Sequence, residues 1–173
     1  MRFNVFRFAS AASTLLLVAI TVPVIAAPVK NIVSVHGAFV NGSGWKPVFE
    51  ILVKHGYHVS IAEHPLTSFS DDVTAVKRVL AMQEGPTITV GHSYSGAIIT
   101  EVGNDPKVVG LVYIAAHALD EGETEVGNGK KFPNATKAVK RTTDDFLYLD
   151  PAFYAADFAA DLPKEQAAQH AQD

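Results

Sequence analysis

"TVGHSYSGAI", residues 89–98, sets Ser93 among small residues directly after an apolar run. "GPTITVGHS" (85–93) reads as a β-strand and "YSGAIITEV" (94–102) as the helix that follows it. A serine at a sharp strand-to-helix turn is the setting of a nucleophile elbow. Such a turn is tight, so the residues flanking the serine must carry almost no side chain. Gly91 lies two before Ser93, and Ser95 and Gly96 follow it. The usual pattern is G-x-S-x-G; here Ser95 takes the second small position, which crowds the turn slightly. The geometry lifts the Ser93 hydroxyl above the sheet edge. It also places the Tyr94 N–H at a helix start, where it can stabilise an oxyanion.

A second oxyanion donor belongs on the loop after the first strand. "KNIVSVHG" (30–37) is an apolar run ending in Gly37, and His36-Gly37 turns the chain so that the Ala38 N–H is free to face a reacting carbonyl. The two stretches lie about 55 residues apart in the right order, with one β-α-β unit between them. A Gly-rich loop here could instead cradle a nucleotide. However, "GAFVNGSG" has neither the lysine of a P-loop nor the G-x-G-x-x-G of a dinucleotide site.

Outward from these points, strands and helices alternate. "WKPVFEILVKHG" is a helix with Pro47 in its first turn, an apolar stripe of Val48, Ile51 and Leu52, and Gly56 as its stop. "YHVSIAEH" is a second strand. Ser68 and Asp71 offer a capping box for a helix carrying Val73, Val76 and Leu80. "KVVGLVYIAA" is a fourth, wholly apolar strand. This order implies an α/β fold: a mostly parallel sheet with helices on both faces. After His117 the character changes. Residues 118–145 are polar, and 145–173 read as short amphipathic helices broken at Pro151 and Pro163, with no strand among them.

The 173 residues amount to one domain. Residues 1–27 have a basic start at Arg2 and Arg7, an apolar middle over 11–20 and small residues near Ala26 and Ala27, the order of a cleaved secretory signal peptide. The apolar run is too short for a stable membrane anchor and is interrupted by Pro23. The expected location is therefore periplasmic or extracellular. Losing two arginines and no acids takes the formal charge from −4 to −6, against a nucleic-acid partner. Zero cysteines exclude disulfides, thiolate zinc sites and a lipoprotein anchor. The histidines show no metal-site spacing, and neither metal nor cofactor is expected.

From Lys30 to Ala116 the chain resembles a bacterial secreted α/β-hydrolase, of the branch that includes plant methylesterases and hydroxynitrile lyases. "VHGAFVNGSGW", "GYHV", "PLTS", "GPTITVGHSYSGAIITE" and "VVGLVYIAAHALDEGE" carry the likeness, and "DFLYLDPAFYAADFAADLP" is similar to lid helices of that branch. The resemblance implies a core over 28–117, a partial helical lid over 118–173, and strand order second-first-third-fourth. It implies acyl transfer on a small ester, with Ser93 as nucleophile and the Ala38 and Tyr94 N–H groups as the oxyanion hole. His36, Gly37 and His117 are candidate substrate contacts, with His36 shaping the oxyanion loop.

In that family the triad acid and histidine follow the serine, each after a later strand, and no segment after His117 reads that way. Asp120 and His170 preserve the order on paper only. His170 lies on a polar helical tail, His92 is expected to be packed and structural, and His117 has no acid evidently placed to orient it. His55, His58 and His64 look like surface or loop residues. The expectation is a fragment or prematurely terminated hydrolase with little turnover. Its fourth strand would then be an exposed edge open to self-association. Two rivals share the fold: a lyase that cleaves cyanohydrins, and a non-catalytic binding module.

Overall fold

The computed structural model describes residues 28–133 and 136–171; the signal-peptide reading of 1–27 lies outside them. The elements are β1 (Asn31–Val35), a 3-10 turn (Gly42–Trp45), α1 (Lys46–Lys54), β2 (His58–Ala62), α2 (Phe69–Ala81), β3 (Thr87–His92), α3 (Ser95–Val102) and β4 (Val108–Ile114). Then come α4 (Glu125–Lys131), β5 (Val139–Arg141), β6 (Leu147–Leu149), α5 (Pro151–Asp157) and α6 (Lys164–His170).

The main sheet has the order β2-β1-β3-β4 and all its pairs are parallel, as the resemblance implies. Val35 stands level with Ala62 on one side and Gly91 on the other. The loops leaving β1, β2 and β3 therefore open on one edge, where open α/β sheets place their chemistry. β1 is buried over its whole length, which its continuous apolar run requires of a central parallel strand. Val33, Val35 and Ala62 pack against Val73, Val76 and Leu80 of α2 and Ile98, Ile99 and Val102 of α3, forming the main core.

α2 begins where the capping box predicts. The Ser68 hydroxyl accepts from the Asp71 N–H at 3.1 Å and donates to the Asp71 carboxylate at 2.8 Å. Those bonds from Ser68 and Thr67 hold the Asp71 carboxyl below its usual range. α1 carries Pro47 in its first turn as expected, but it contributes no buried residue, and Val48 and Ile51 of its stripe are exposed.

Residues 139–149 correct the expectation of helices without strands. β5 and β6 form an antiparallel hairpin, Val139 opposite Leu149. It is closed by Thr142, which accepts from and donates to Phe146, with Asp145 at a left-handed φ of 73°. Both prolines precede or open helices rather than interrupt them, α5 starting at Pro151 under an Asp150 cap. Ala138, Leu149, Tyr154, Ala159 and Ala167 make a second small core, against which Phe39 of the β1 loop packs. β4 is the edge strand, with Val109, Val112 and Ile114 exposed and no partner on its far side among the described residues.

Candidate active site

Ser93 occupies the one-residue gap between the end of β3 and the Tyr94 that caps α3, with a left-handed φ of 55°. For a residue bearing a Cβ that conformation is strained, and such strain persists only where the surroundings over-determine it. They do so here. The Ser93 N–H donates to Ile114 at 3.2 Å, and the Ser93 carbonyl accepts from Gly96 at 3.0 Å and His117 at 3.3 Å.

The small neighbours are required. A Cβ on Gly91 would lie 2.8 Å from the Ser95 carbonyl, and one on Gly96 would lie 2.4 Å from that of His117. Ser95 does more than tolerate the turn. It is fully buried, and its hydroxyl lies 2.8 Å from the Val35 carbonyl and 2.9 Å from that of His92, tying the elbow to the end of β1.

The β1 loop lies directly against the serine, since a Cβ on Gly37 would stand 3.1 Å from the Ser93 Cβ. Among the described residues neither the Ala38 nor the Tyr94 N–H donates to a protein acceptor. A cavity of about 490 Å³ opens beside them, lined by Ala38, Phe39, Leu66, Phe69, Tyr94, Phe146 and Leu147, with Asp144 and Asp145 among its polar groups.

Behind this wall is a buried polar group that sequence reasoning missed. Asp72, 1% exposed, accepts from the Tyr94 hydroxyl and from the Leu66 N–H, both at 2.8 Å. Burial and the Asp72 carboxylate push the Tyr94 hydroxyl well above its ordinary range, so it stays a proton donor. His64 is 7% exposed, correcting its reading as a surface or loop residue, with Nδ1 3.3 Å from Asp72. Its Nε2 lies 2.9 Å from the His36 carbonyl; a carbonyl can only accept, so that nitrogen carries a proton.

The His36 ring stacks on His64 at 3.9 Å, donates from Nδ1 to the Gly37 carbonyl at 2.9 Å and pairs with Glu63 at 3.1 Å. It is 3% exposed, and burial holds it below the usual histidine range despite the raising pull of Gly37. His36 thus sits within the wall of the loop, while Gly37 forms its turn.

The other histidines fall elsewhere. His92 is half-buried beside Gly37, and desolvation lowers its pKa. His117 is exposed and its Nδ1 pairs with Glu125, the acid that sequence reading did not find. Asp120 lines a second cavity with Glu125, which shares Phe69 and Tyr94 with the first but does not reach Ala38. His55 and His58 are exposed, and His170 closes α6. Among the described residues no imidazole hydrogen-bonds the Ser93 hydroxyl. No group of three or more acidic or histidine side chains there could hold a metal, and no helix is long and apolar enough to cross a membrane.

A parallel β2-β1-β3-β4 sheet with a serine strained into the turn after β3 defines an α/β-hydrolase core. The chain belongs to the Alpha/beta hydrolase family, whose model matches residues 32–173. Among solved structures it is similar to a pyrethroid hydrolase from Sphingobium faniae JZ-2, at 25% identity and TM-score 0.63 over 80% of this chain and 64% of that one. It is also similar to tomato methylketone synthase I complexed with 2-tridecanone, at 18% identity and TM-score 0.70 over 84% and 66%. A third is an extracellular α/β-hydrolase from a Paenibacillus species sharing homology with tobacco salicylic acid binding protein 2, at 16% identity and TM-score 0.60 over 82% and 64%. The chain thus spans about 64% to 66% of the lengths of these structures. No curated protein matches it by sequence.

Proposed function

We propose that this protein is a serine hydrolase that cleaves a small ester through an acyl-enzyme on Ser93. The observation that carries the reading is Ser93 at a φ of 55°, against Gly37 and beside two amides without protein acceptors. In the reaction the Ser93 oxygen attacks the ester carbonyl carbon and its proton passes to a base. The carbonyl oxygen becomes an oxyanion facing the Ala38 and Tyr94 N–H groups, a pair whose members are each worth about 10²–10³ in rate in comparable sites. The alcohol leaves with a proton, and water then releases the acid and frees the serine. The apolar lining beside the two amides suits an ester with an aliphatic or aromatic group. The pyrethroid hydrolase among the similar structures supports hydrolytic chemistry. Residues 1–27 support secretion to the periplasm or beyond.

With no imidazole on Ser93 among the described residues, the 173-residue chain is expected to turn over slowly, because triad groups supply several orders of magnitude. Reaction with a small fluorophosphonate, followed by peptide mass spectrometry, tests the nucleophile directly. Expected is modification of Ser93 that added imidazole accelerates and Ser93→Ala abolishes. Equal modification of parent and Ser93→Ala refutes the assignment.

A further inference from the structure

Two amides that act on one oxygen must keep a fixed separation, and here they sit on different segments. Ala38 follows β1, whereas Tyr94 follows β3. One buried chain of contacts joins them from behind. The Tyr94 hydroxyl donates to Asp72 at 2.8 Å, and Asp72 lies 3.3 Å from His64 Nδ1. His64 Nε2 donates to the His36 carbonyl at 2.9 Å, and the His36 ring returns to the Gly37 carbonyl at 2.9 Å. The next N–H along the chain is that of Ala38.

Asp72 precedes Val76 and Leu80 on the same buried stripe of α2, where an aliphatic side chain would pack at no desolvation cost. A carboxylate there must be held for what it touches: it accepts from the Tyr94 hydroxyl and the Leu66 N–H and lies 3.3 Å from His64 Nδ1. Asp72 is also among the residues that line the cavity beside Ala38 and Tyr94.

We infer that Asp72 and His64 are positioning residues that set the spacing between the Ala38 and Tyr94 N–H groups. As a role in catalysis this rests on the reading of Ser93 as nucleophile; as a statement about two amides it stands on its own. Asp72 anchors one end through the tyrosine hydroxyl. His64 transmits the constraint to the other, clamping the His36–Gly37 peptide by hydrogen bond and ring stacking. Neither residue touches the reacting atoms.

The test uses the ¹⁵N-labelled 173-residue chain, reading the Ala38 and Tyr94 amide resonances together with the rate of Ser93 modification by a small fluorophosphonate. Asp72→Asn keeps the shape but turns one acceptor into a donor. It is expected to move both resonances and slow modification by about ten- to a hundredfold, the scale of a misplacement of about 1 Å. Tyr94→Phe cuts one end only, moving Tyr94 and leaving Ala38 in place.

A folded Asp72→Asn with both the Ala38 resonance and the rate unchanged overturns the inference. So does a Tyr94→Phe pattern identical to that of Asp72→Asn. Should Asp72→Asn fail to fold, His64→Phe decides, since it retains the stack and removes both ring nitrogens. A displaced Ala38 resonance upholds the inference and an unmoved one overturns it. If the parent chain shows no modification at Ser93, the nucleophile assignment alone falls, because the amide resonances report position without any reaction.

Discussion

Replacing Gly96 by alanine probes the contact that holds the start of α3 against the exit of β4. The added Cβ would lie 2.4 Å from the His117 carbonyl oxygen, 2.8 Å from the His117 nitrogen and 2.9 Å from the Ala116 Cβ. Two of these atoms are backbone, so no rotamer change can relieve them and the helix must move away from the strand. Overpacking of this kind costs about 3 kcal/mol at the upper end of its usual range. The preference of a helix for alanine over glycine returns at most about 1 kcal/mol. The difference is a net loss of about 2 kcal/mol, or a fall of about 4–8 °C in Tm for a chain of this size. Movement there also pulls the His117 N–H from the Ser93 carbonyl, so Ser93 modification should slow as well.

Gly129→Ala, within α4 and with nothing near its added Cβ, provides the contrast. It should gain up to about 1 kcal/mol from the same helix preference. Thermal unfolding followed by far-ultraviolet circular dichroism reads both variants. If Gly96→Ala is as stable as the parent, the close approach of α3 to residues 116 and 117 is wrong.

Two further outcomes follow from burial. His36 and His92 are held below the usual histidine range by desolvation, whereas the unfolded chain takes up those protons near pH 6.5. Their contribution to stability is therefore complete above about pH 6.5 and is lost progressively as the pH falls from there through their lowered folded-state values. Urea midpoints should drop between about pH 8 and about pH 5.5, and His92→Gln should flatten the drop; an unchanged slope contradicts it. The exposed apolar residues on the β4 edge are expected to make the chain self-associate, with Val112→Lys returning it towards monomer. A monomeric parent on size-exclusion chromatography refutes this.

The sheet was legible because its strands are short stretches rich in branched apolar residues, set between turn signals and alternating with helical patterns, the order a parallel sheet requires. The serine turn was legible for a related reason: Gly91 and Gly96 stand where any Cβ would strike backbone. Asp72 and His64 were not read, although the spacing of Asp72, Val76 and Leu80 already put the carboxylate on the buried stripe of α2. His64 sits between Glu63 and Pro65, which looks like a solvated loop. Only the adjacency of the β1 and β2 exits buries it. The hairpin at 139–149 escaped because its strands are three residues long, too short for alternation to show, and two of the three in β5 are charged. His117 and Glu125, eight residues apart, meet because the loop into α4 turns back on the β4 exit, and no periodic pattern marks that turn.

β1 is synthesised first yet lies at the centre of the sheet, between strands made after it. The ribosome must add the residues from 36 to 86 before β3 can start to cover its second side. At about 5–20 residues per second that interval is about 3–10 s. For that time the nascent chain carries a largely apolar strand with one side of its backbone ladder open. A faster-elongating host would shorten the exposure, and one that pauses within α2 would lengthen it.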